Sequence, residues 1–352
     1  MINLISKRSF EDDPNNFDGR QYYTDGPCIH EYLKRLNALC FGRYDDVMTV
    51  GEMGNTTIEN CVQYAGEKTG ELDSVFTFHH LKVDYKDGNK WTRMPFDFMK
   101  LKDLLFSWQT GMEEAGATNA LFFNNHDQPR AISRFGNDGQ YRKESGKMLG
   151  IVNMMMRGVP YVYYGEEIGL PNAEFESIHQ YRDVESLNYY TLLKEEGMKE
   201  EEILAILNAK SRDNGRTPMP WNSSLHCGFT KGTPWLPLAK RAGEITVEKD
   251  LSDRDGIFAA YRKLIALRHT MPIIQEGTFV PLLKDHPSVF SFERKWKQES
   301  LVVLCNFYDL ETTVKLSLSH YSLLYGNYGD VVVSDEMTLR PYEGVVLYKK
   351  SC

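Results

Sequence analysis

Apolar positions in the first half of the chain follow two rhythms that take turns. From Cys28 to Leu39 they recur at helical spacing, with Ile29, Leu33 and Leu36 on one face. A continuous run, Val47–Val50, comes next, and then "SVFTF" (74–78), rich in β-branched and aromatic residues. Leu101, Leu104, Leu105, Trp108 and Met112 return to helical spacing, and Gly116 stops them. "NALFF" (119–123) is a third short run. Tyr141, Met148, Leu149, Val152 and Met156 mark another helix, ended by Gly158, and "VPYVYY" (159–164) is a fourth run. Runs that are apolar throughout, not at every second residue, are what a parallel sheet covered by helices requires.

The rhythm then breaks. Residues 166–250 read as a long charged insertion with one helix near 200–209, followed by an amphipathic helix on Ile257, Phe258, Tyr261, Leu264, Ile265 and Arg268. From about 273 the pattern is of short strands between turns: "SVFSFERKW", "SLVVLCNFY", "TTVKLSL", "DVVVS" and "EGVVLYKK". The expected organisation is an α/β domain over 1–272 and an antiparallel β domain over 273–352. Residues 8–27 are polar and turn-rich, a loop, and no internal repeat is present.

Length and composition narrow the picture only a little. The chain has 352 residues, natural for two domains, and 41% hydrophobic residues, enough for a sizeable core. A net charge of −8 argues against nucleic acid or an anionic membrane as partner. The six cysteines are scattered with no C-x-x-C pair, which suggests neither zinc nor a redox motif and fits reduced thiols in the cytoplasm. No run reaches membrane-spanning length, and no signal peptide opens the sequence. Aromatics at 12% suit a carbohydrate cleft and a large core equally.

Chemistry in a parallel β/α barrel sits just past the C-terminal ends of the strands. Four sites have that position: Gly51-Glu52, His79-His80, Asn125-His126-Asp127 and Gly165-Glu166-Glu167. Carboxylates and histidines above a sheet suit glycoside hydrolysis, where one carboxyl protonates the leaving oxygen and another meets positive charge at the sugar carbon. A glutamate after a strand also caps helices, and Asn-His-Asp is also an ordinary turn, so position alone leaves both readings open.

The surrounding motifs go further. "MTVGEMG", "NNHDQPR", "YYGEEIG" and "RDNGRTPMPW", in that order, resemble the α-amylase superfamily of glycoside hydrolases, and more narrowly its α-glucosidase and oligo-1,6-glucosidase branch. "DGRQYYTDGPCIHEYL", "FTFHHLKVDYKDGNKW" and "EEILAILNAKSRDN" are similar to the trehalose-6-phosphate hydrolase group within it. The resemblance covers essentially the whole chain. It implies the C-terminal half of a (β/α)8 TIM barrel, about strands 5–8, followed by an all-β sandwich. It makes Glu52 the general acid/base and Asp127 the carboxylate that stabilises the transition state. His126 beside it hydrogen-bonds the sugar, and Arg212 lines the cleft, although an arginine at a helix end is also a common surface feature.

The resemblance implies a sugar or sugar-phosphate substrate and no metal or organic cofactor. For a phosphate, Lys82 and Lys90 stand in a polar loop past His79-His80, where two ammonium groups would give charge-assisted hydrogen bonds. Loop lysines are otherwise simply solvated. A neutral oligosaccharide substrate and a non-catalytic relative stay open as alternatives.

In the family the attacking aspartate lies in "R-x-D-[VM]-I-N-x-I-S-K", and this chain begins "MINLISK". The expectation is therefore that the nucleophile and the first four strands lie upstream, and that this polypeptide alone is inactive. Asp12, Asp13, Asp18 and Asp25 sit in a loop, not at a strand end, and are poor substitutes. Unpaired outer strands would then be closed by a second copy, by a separately encoded N-terminal half, or not at all. Thr118, Tyr164 and Pro220 depart from the family wording "WNAL", "YQGEE" and "RTPMQW".

Overall fold

A computed structural model of the chain describes residues 24–26 and 28–350, so most of the loop expected at 8–27, with Asp12, Asp13 and Asp18, lies outside the described residues. The described residues form two compact units. One holds those up to Leu81 with Asp103–Leu121 and Arg157–Val159; the other holds Lys82–Lys102, Phe122–Met156 and those from Pro160 onward.

The first unit contains α1 (Ile29–Leu39), β1 (Val50–Met53), α2 (Ile58–Ala65), β2 (Ser74–Thr77), most of α3 (Phe98–Glu114) and β3 (Asn119–Leu121). β1 and β2 pair in parallel with Glu52 opposite Phe76, and β2 and β3 pair in parallel with Phe76 opposite Ala120. The sheet order is β1-β2-β3-β4, where β4 is Val159–Pro160. Cys61 and Tyr64 of α2, Val75 of β2, and Trp108 and Met112 of α3 form its core. Thr57 caps α2 by accepting from the Asn60 N–H at 3.3 Å. Asp25 binds the same helix, accepting from Thr56 Oγ1 at 3.0 Å, Asn60 Nδ2 at 2.8 Å and Tyr64 Oη at 2.8 Å.

The second unit contains α4 (Ala131–Phe135), α5 (Arg142–Met155), α6 (Val184–Glu195), α7 (Glu200–Lys210), α8 (Val247–Ser252), α9 (Ile257–Thr270) and α10 (Pro272–Glu276). Its β portion comprises β5 (Thr278–Leu282), β6 (Val289–Trp296), β7 (Glu299–Asn306), β8 (Thr312–Lys315), β9 (Ser322–Gly326), β10 (Glu336–Leu339) and β11 (Gly344–Lys350). These form a five-stranded antiparallel sheet, β5-β6-β7-β11-β9, and a β10-β8 pair. Val289, Val302, Leu304, Val314, Met337, Leu339, Val345 and Leu347 fill the space between them. The helix spacing at 28–39, 101–112, 141–156, 200–209 and 257–268 is realised in α1, α3, α5, α7 and α9.

Three expectations need correction. The fourth apolar run supplies only a two-residue strand, because Pro160 has no N–H to donate. Beyond it, side chains take the carbonyls: Asn153 Nδ2 donates to Tyr161 O at 3.1 Å and Arg130 Nη1 to Tyr164 O at 2.5 Å. The 166–250 insertion holds three helices, not one. α6 escaped periodicity because Val184, Leu187 and Leu192 are exposed while Ser186 and Leu193 are buried; its start is set by Asp183, whose carboxylate accepts from the Ser186 N–H at 3.0 Å. "DVVVS" is not a strand: Val331 and Val333 pack on the sandwich core without ladder partners and Val332 faces out.

Candidate active site

The loop after β3 is shaped by its own side chains. Asn125 Oδ1 accepts from the Asp127 N–H at 2.8 Å, an Asx-turn that presents Asp127, and the Gln128 N–H closes on Asn125 O at 3.2 Å. Behind it Arg130 is fully buried. Its Nε donates to Asn214 O at 3.0 Å, its Nη2 to Thr217 Oγ1 at 3.2 Å, and its guanidinium lies 4.6 Å from the Tyr164 ring centre. One arginine thus joins the Asp127 loop, the end of the fourth run and the 3-10 turn Arg212–Arg216.

That turn begins at Ser211, whose hydroxyl accepts from the Asp213 N–H at 3.1 Å. Asp213 points inward, and its Oδ2 accepts from the N–H groups of Arg182 at 2.7 Å and Asp183 at 2.9 Å. Gly215 is required by close approach, because a Cβ there would lie 2.6 Å from Gln128 O and 2.8 Å from Asn125 O. Tyr164 has a structural task in place of the family's glutamine: its hydroxyl donates to Thr217 O at 2.7 Å.

The loop and the turn bring their charges together. Arg216 Nη2 donates to Asp127 Oδ1 at 2.7 Å, and its Nε donates to His126 O at 2.8 Å. Arg212 Nη1 stands 3.8 Å from the same Asp127 oxygen, and His126 Nε2 stands 3.6 Å from Asp127 Oδ2. Arg216 Nη1 also reaches Asp183 Oδ1 at 3.6 Å. Glu185 bridges outward: its Oε2 lies 3.0 Å from Arg212 Nε, without the alignment of a hydrogen bond, and accepts from Lys90 Nζ at 2.9 Å. Burial pulls the Lys90 ammonium below the usual lysine range, and Glu185 offsets part of that.

A second group of charges lies buried alongside. Asp84 accepts from Arg134 Nε at 3.0 Å and Nη2 at 2.6 Å, and Lys210 Nζ pairs with its Oδ2 at 2.5 Å and donates to its backbone O at 2.9 Å. Burial would raise the Asp84 carboxyl, but the two cations outweigh it and hold it below the usual range.

Of the residues singled out from sequence, His126, Asp127 and Arg212 meet directly, and Lys90 joins them through Glu185. Glu52 stands, exposed, inside the edge strand β1 of the first unit. Lys82 is half-buried at the end of the 3-10 turn His79–Lys82. His79 stacks on Trp108 at 5.0 Å and His80 is buried, so that strand end is packed. Glu166 is a core acid: Tyr261 Oη donates to its Oε1 at 2.8 Å, and burial pushes its carboxyl up to about 7. Arg216, Asp183, Glu185, Asp84, Arg130, Arg134 and Lys210 were not singled out. Arg216 lies within the quoted "RDNGRTPMPW", one helical turn beyond Arg212, and Arg130, Asp84 and Lys210 also stand inside quoted motifs; Asp183, Glu185 and Arg134 carry no local signal.

The sequence pattern described as the alpha amylase catalytic domain matches residues 1–277. The chain belongs to the alpha-amylase family. It is 48% identical over 352 residues to the trehalose-6-phosphate hydrolase of Bacillus subtilis (strain 168), covering 98% of this chain and 63% of that relative. It is 42% identical over 362 residues to the oligo-1,6-glucosidase of Bacillus cereus, covering 99% of this chain and 64% of the relative. The solved trehalose-6-phosphate hydrolase of Bacillus licheniformis superposes with a TM-score of 0.93 at 47% identity, covering 97% of this chain and 62% of that one. The chain therefore spans less than two thirds of the length of these relatives. With that superposition, the barrel half followed by an antiparallel β domain is the observed fold. Among the described residues no helix is long and apolar enough to cross a membrane.

Proposed function

We propose that the chain carries part of an α-glycosidase cleft, with trehalose 6-phosphate as substrate and glucose and glucose 6-phosphate as products. The observation that carries this reading is the Asp127 carboxylate, oriented by Arg216 at 2.7 Å with Arg212 and His126 beside it. Such a group, fixed before substrate arrives, stabilises the positive charge that develops at the sugar carbon. Glu52 protonates the leaving oxygen and then serves as base for water. Double displacement also needs an attacking carboxylate about 5 Å from the acid. Among the described residues no carboxylate is assigned that part: Asp25, the described candidate, is spent on α2.

The phosphate is assigned to Lys82 and Lys90, supported by relatives named trehalose-6-phosphate hydrolase at 48% and 44% identity. One observation favours the second reading, a neutral oligosaccharide: Lys90 is already paired with Glu185 at 2.9 Å. Calorimetric titration of the chain with trehalose 6-phosphate, trehalose and isomaltose separates the two. Losing a charge-assisted hydrogen bond costs about 1.5–3 kcal/mol. Lys82→Ala and Lys90→Ala should therefore each weaken binding of the phosphorylated sugar about tenfold or more and leave trehalose unaffected. An unchanged preference removes the phosphate assignment.

A further inference from the structure

We propose that Asp84 is a positioning residue for the cleft, acting through Arg134 and Lys210 on the loops that carry Asp127 and Arg212. The proposal rests on the assignment of those two residues to the sugar site. Asp84, Arg134 and Lys210 expose only 6%, 4% and 3% of their side chains. Burying one carboxylate with two cations is a poor way to gain stability, since well-packed apolar residues in such places often do as well or better. What the cluster does gain is connection.

Arg134 uses two nitrogens on Asp84 and the third on Gln128, where Nη1 donates to Oε1 at 2.8 Å. Gln128 is the residue after Asp127. Lys210 is the last residue of α7, and the next residue, Ser211, caps the turn that carries Arg212 and Arg216. Asp84 itself belongs to the 82–90 segment, with Lys82 at one end and Lys90 at the other. One carboxylate is thus the meeting point of three segments that bring charge to the cleft, and it touches none of the groups assigned to the sugar. Its two cations cannot shift without leaving a buried charge uncompensated, so the segments keep one arrangement.

Two variants separate positioning from general stability. Arg134→Lys keeps a cation beside Asp84 but gives up the fork that reaches Gln128. Asp84→Asn removes the counter-charge from both cations. In the ligand-free chain, hydrogen exchange should quicken about fivefold at 124–130 in Arg134→Lys, and at both 124–130 and 211–217 in Asp84→Asn, with 289–306 unchanged. Trehalose 6-phosphate affinity should fall about fivefold in Arg134→Lys, and that loss should vanish in a Gln128→Ala background. Faster exchange everywhere, or nowhere, overturns the proposal, and so does a loss of affinity that adds in full to that of Gln128→Ala. Should Asp84→Asn fail to fold, Arg134→Lys and Gln128→Ala decide alone. If the unaltered chain does not bind trehalose 6-phosphate, the substrate reading falls, while the exchange pattern still decides the positioning role.

Discussion

Replacing Gly215 by alanine adds one methyl group at the point where the Arg212–Arg216 turn meets the Asp127 loop. The new carbon would stand 2.6 Å from Gln128 O and 2.8 Å from Asn125 O, where side-chain carbons essentially never come nearer than 3.0 Å. Both obstacles are backbone, so no rotamer change relieves them, and the strands of chain must part by at least about 0.4 Å. Overpacking of this kind costs about 1–3 kcal/mol. The stiffer unfolded chain returns about 0.4–1 kcal/mol. The net expectation is a loss of up to about 2.5 kcal/mol, read as a lower urea midpoint at unchanged slope. Gly243 is the control, since a Cβ there meets nothing within 4 Å. Gly243→Ala should show only the entropic return, a gain of about 0.4–1 kcal/mol over the parent. Because the displaced oxygens flank Asp127, Gly215→Ala should also weaken sugar binding. A variant as stable as Gly243→Ala, with unaltered affinity, would refute the claim that the turn and the loop are locked by contact.

Glu166 gives a pH dependence of definite sign. Its folded carboxyl titrates near 7, above the ordinary value of 4.5, so between these values the folded state holds a proton that the unfolded state releases. Its contribution is therefore complete below pH 4.5 and is lost as pH rises to about 7, by up to a few kcal/mol. Glu166→Gln, measured by denaturant unfolding at pH 5 and pH 8, should gain stability relative to the parent at the higher pH; an equal difference at both would contradict the burial argument. Asp25→Ala strips three donors of their acceptor at the start of α2, one of them on buried Tyr64. The expected cost is about 1–3 kcal/mol, visible as faster hydrogen exchange across 57–65, and unchanged exchange would show that Asp25 does not hold that helix. Arg216→Lys should reduce affinity for the sugar by about tenfold, because an ammonium cannot serve Asp127 and the His126 carbonyl in the same fork; retained affinity in a calorimetric titration would remove Arg216 from the site.

Periodicity was a good guide wherever a segment buries one continuous face. α3 shows its helical spacing because Leu101, Leu105, Trp108 and Met112 are buried along it, and α5, buried all round from Ser145 to Met155, keeps the same spacing in its large apolar residues. It failed where capping, not burial, starts the element, as in α6 with Asp183, and where side chains replaced ladder partners, as after Pro160. The site divided in the same manner. Asp127, His126 and Arg212 stand in short motifs and were legible. Asp84 meets Arg134 and Lys210 over separations of 50 and 126 residues, Glu185 meets Lys90 over 95, and no local pattern encodes such meetings. Four segment ends carry a carboxylate or a histidine, and nothing local ranks them. Folding sorted them, sending Glu166 into the core and leaving Asp127 between two arginines.

The most direct test of the account is a calorimetric titration of the purified chain and its Asp127→Asn variant with trehalose 6-phosphate. Saturable binding is expected for the parent, lost or weakened at least about tenfold in the variant. Equal affinity in the two proteins would contradict the assignment of the sugar site to Asp127 and its arginines.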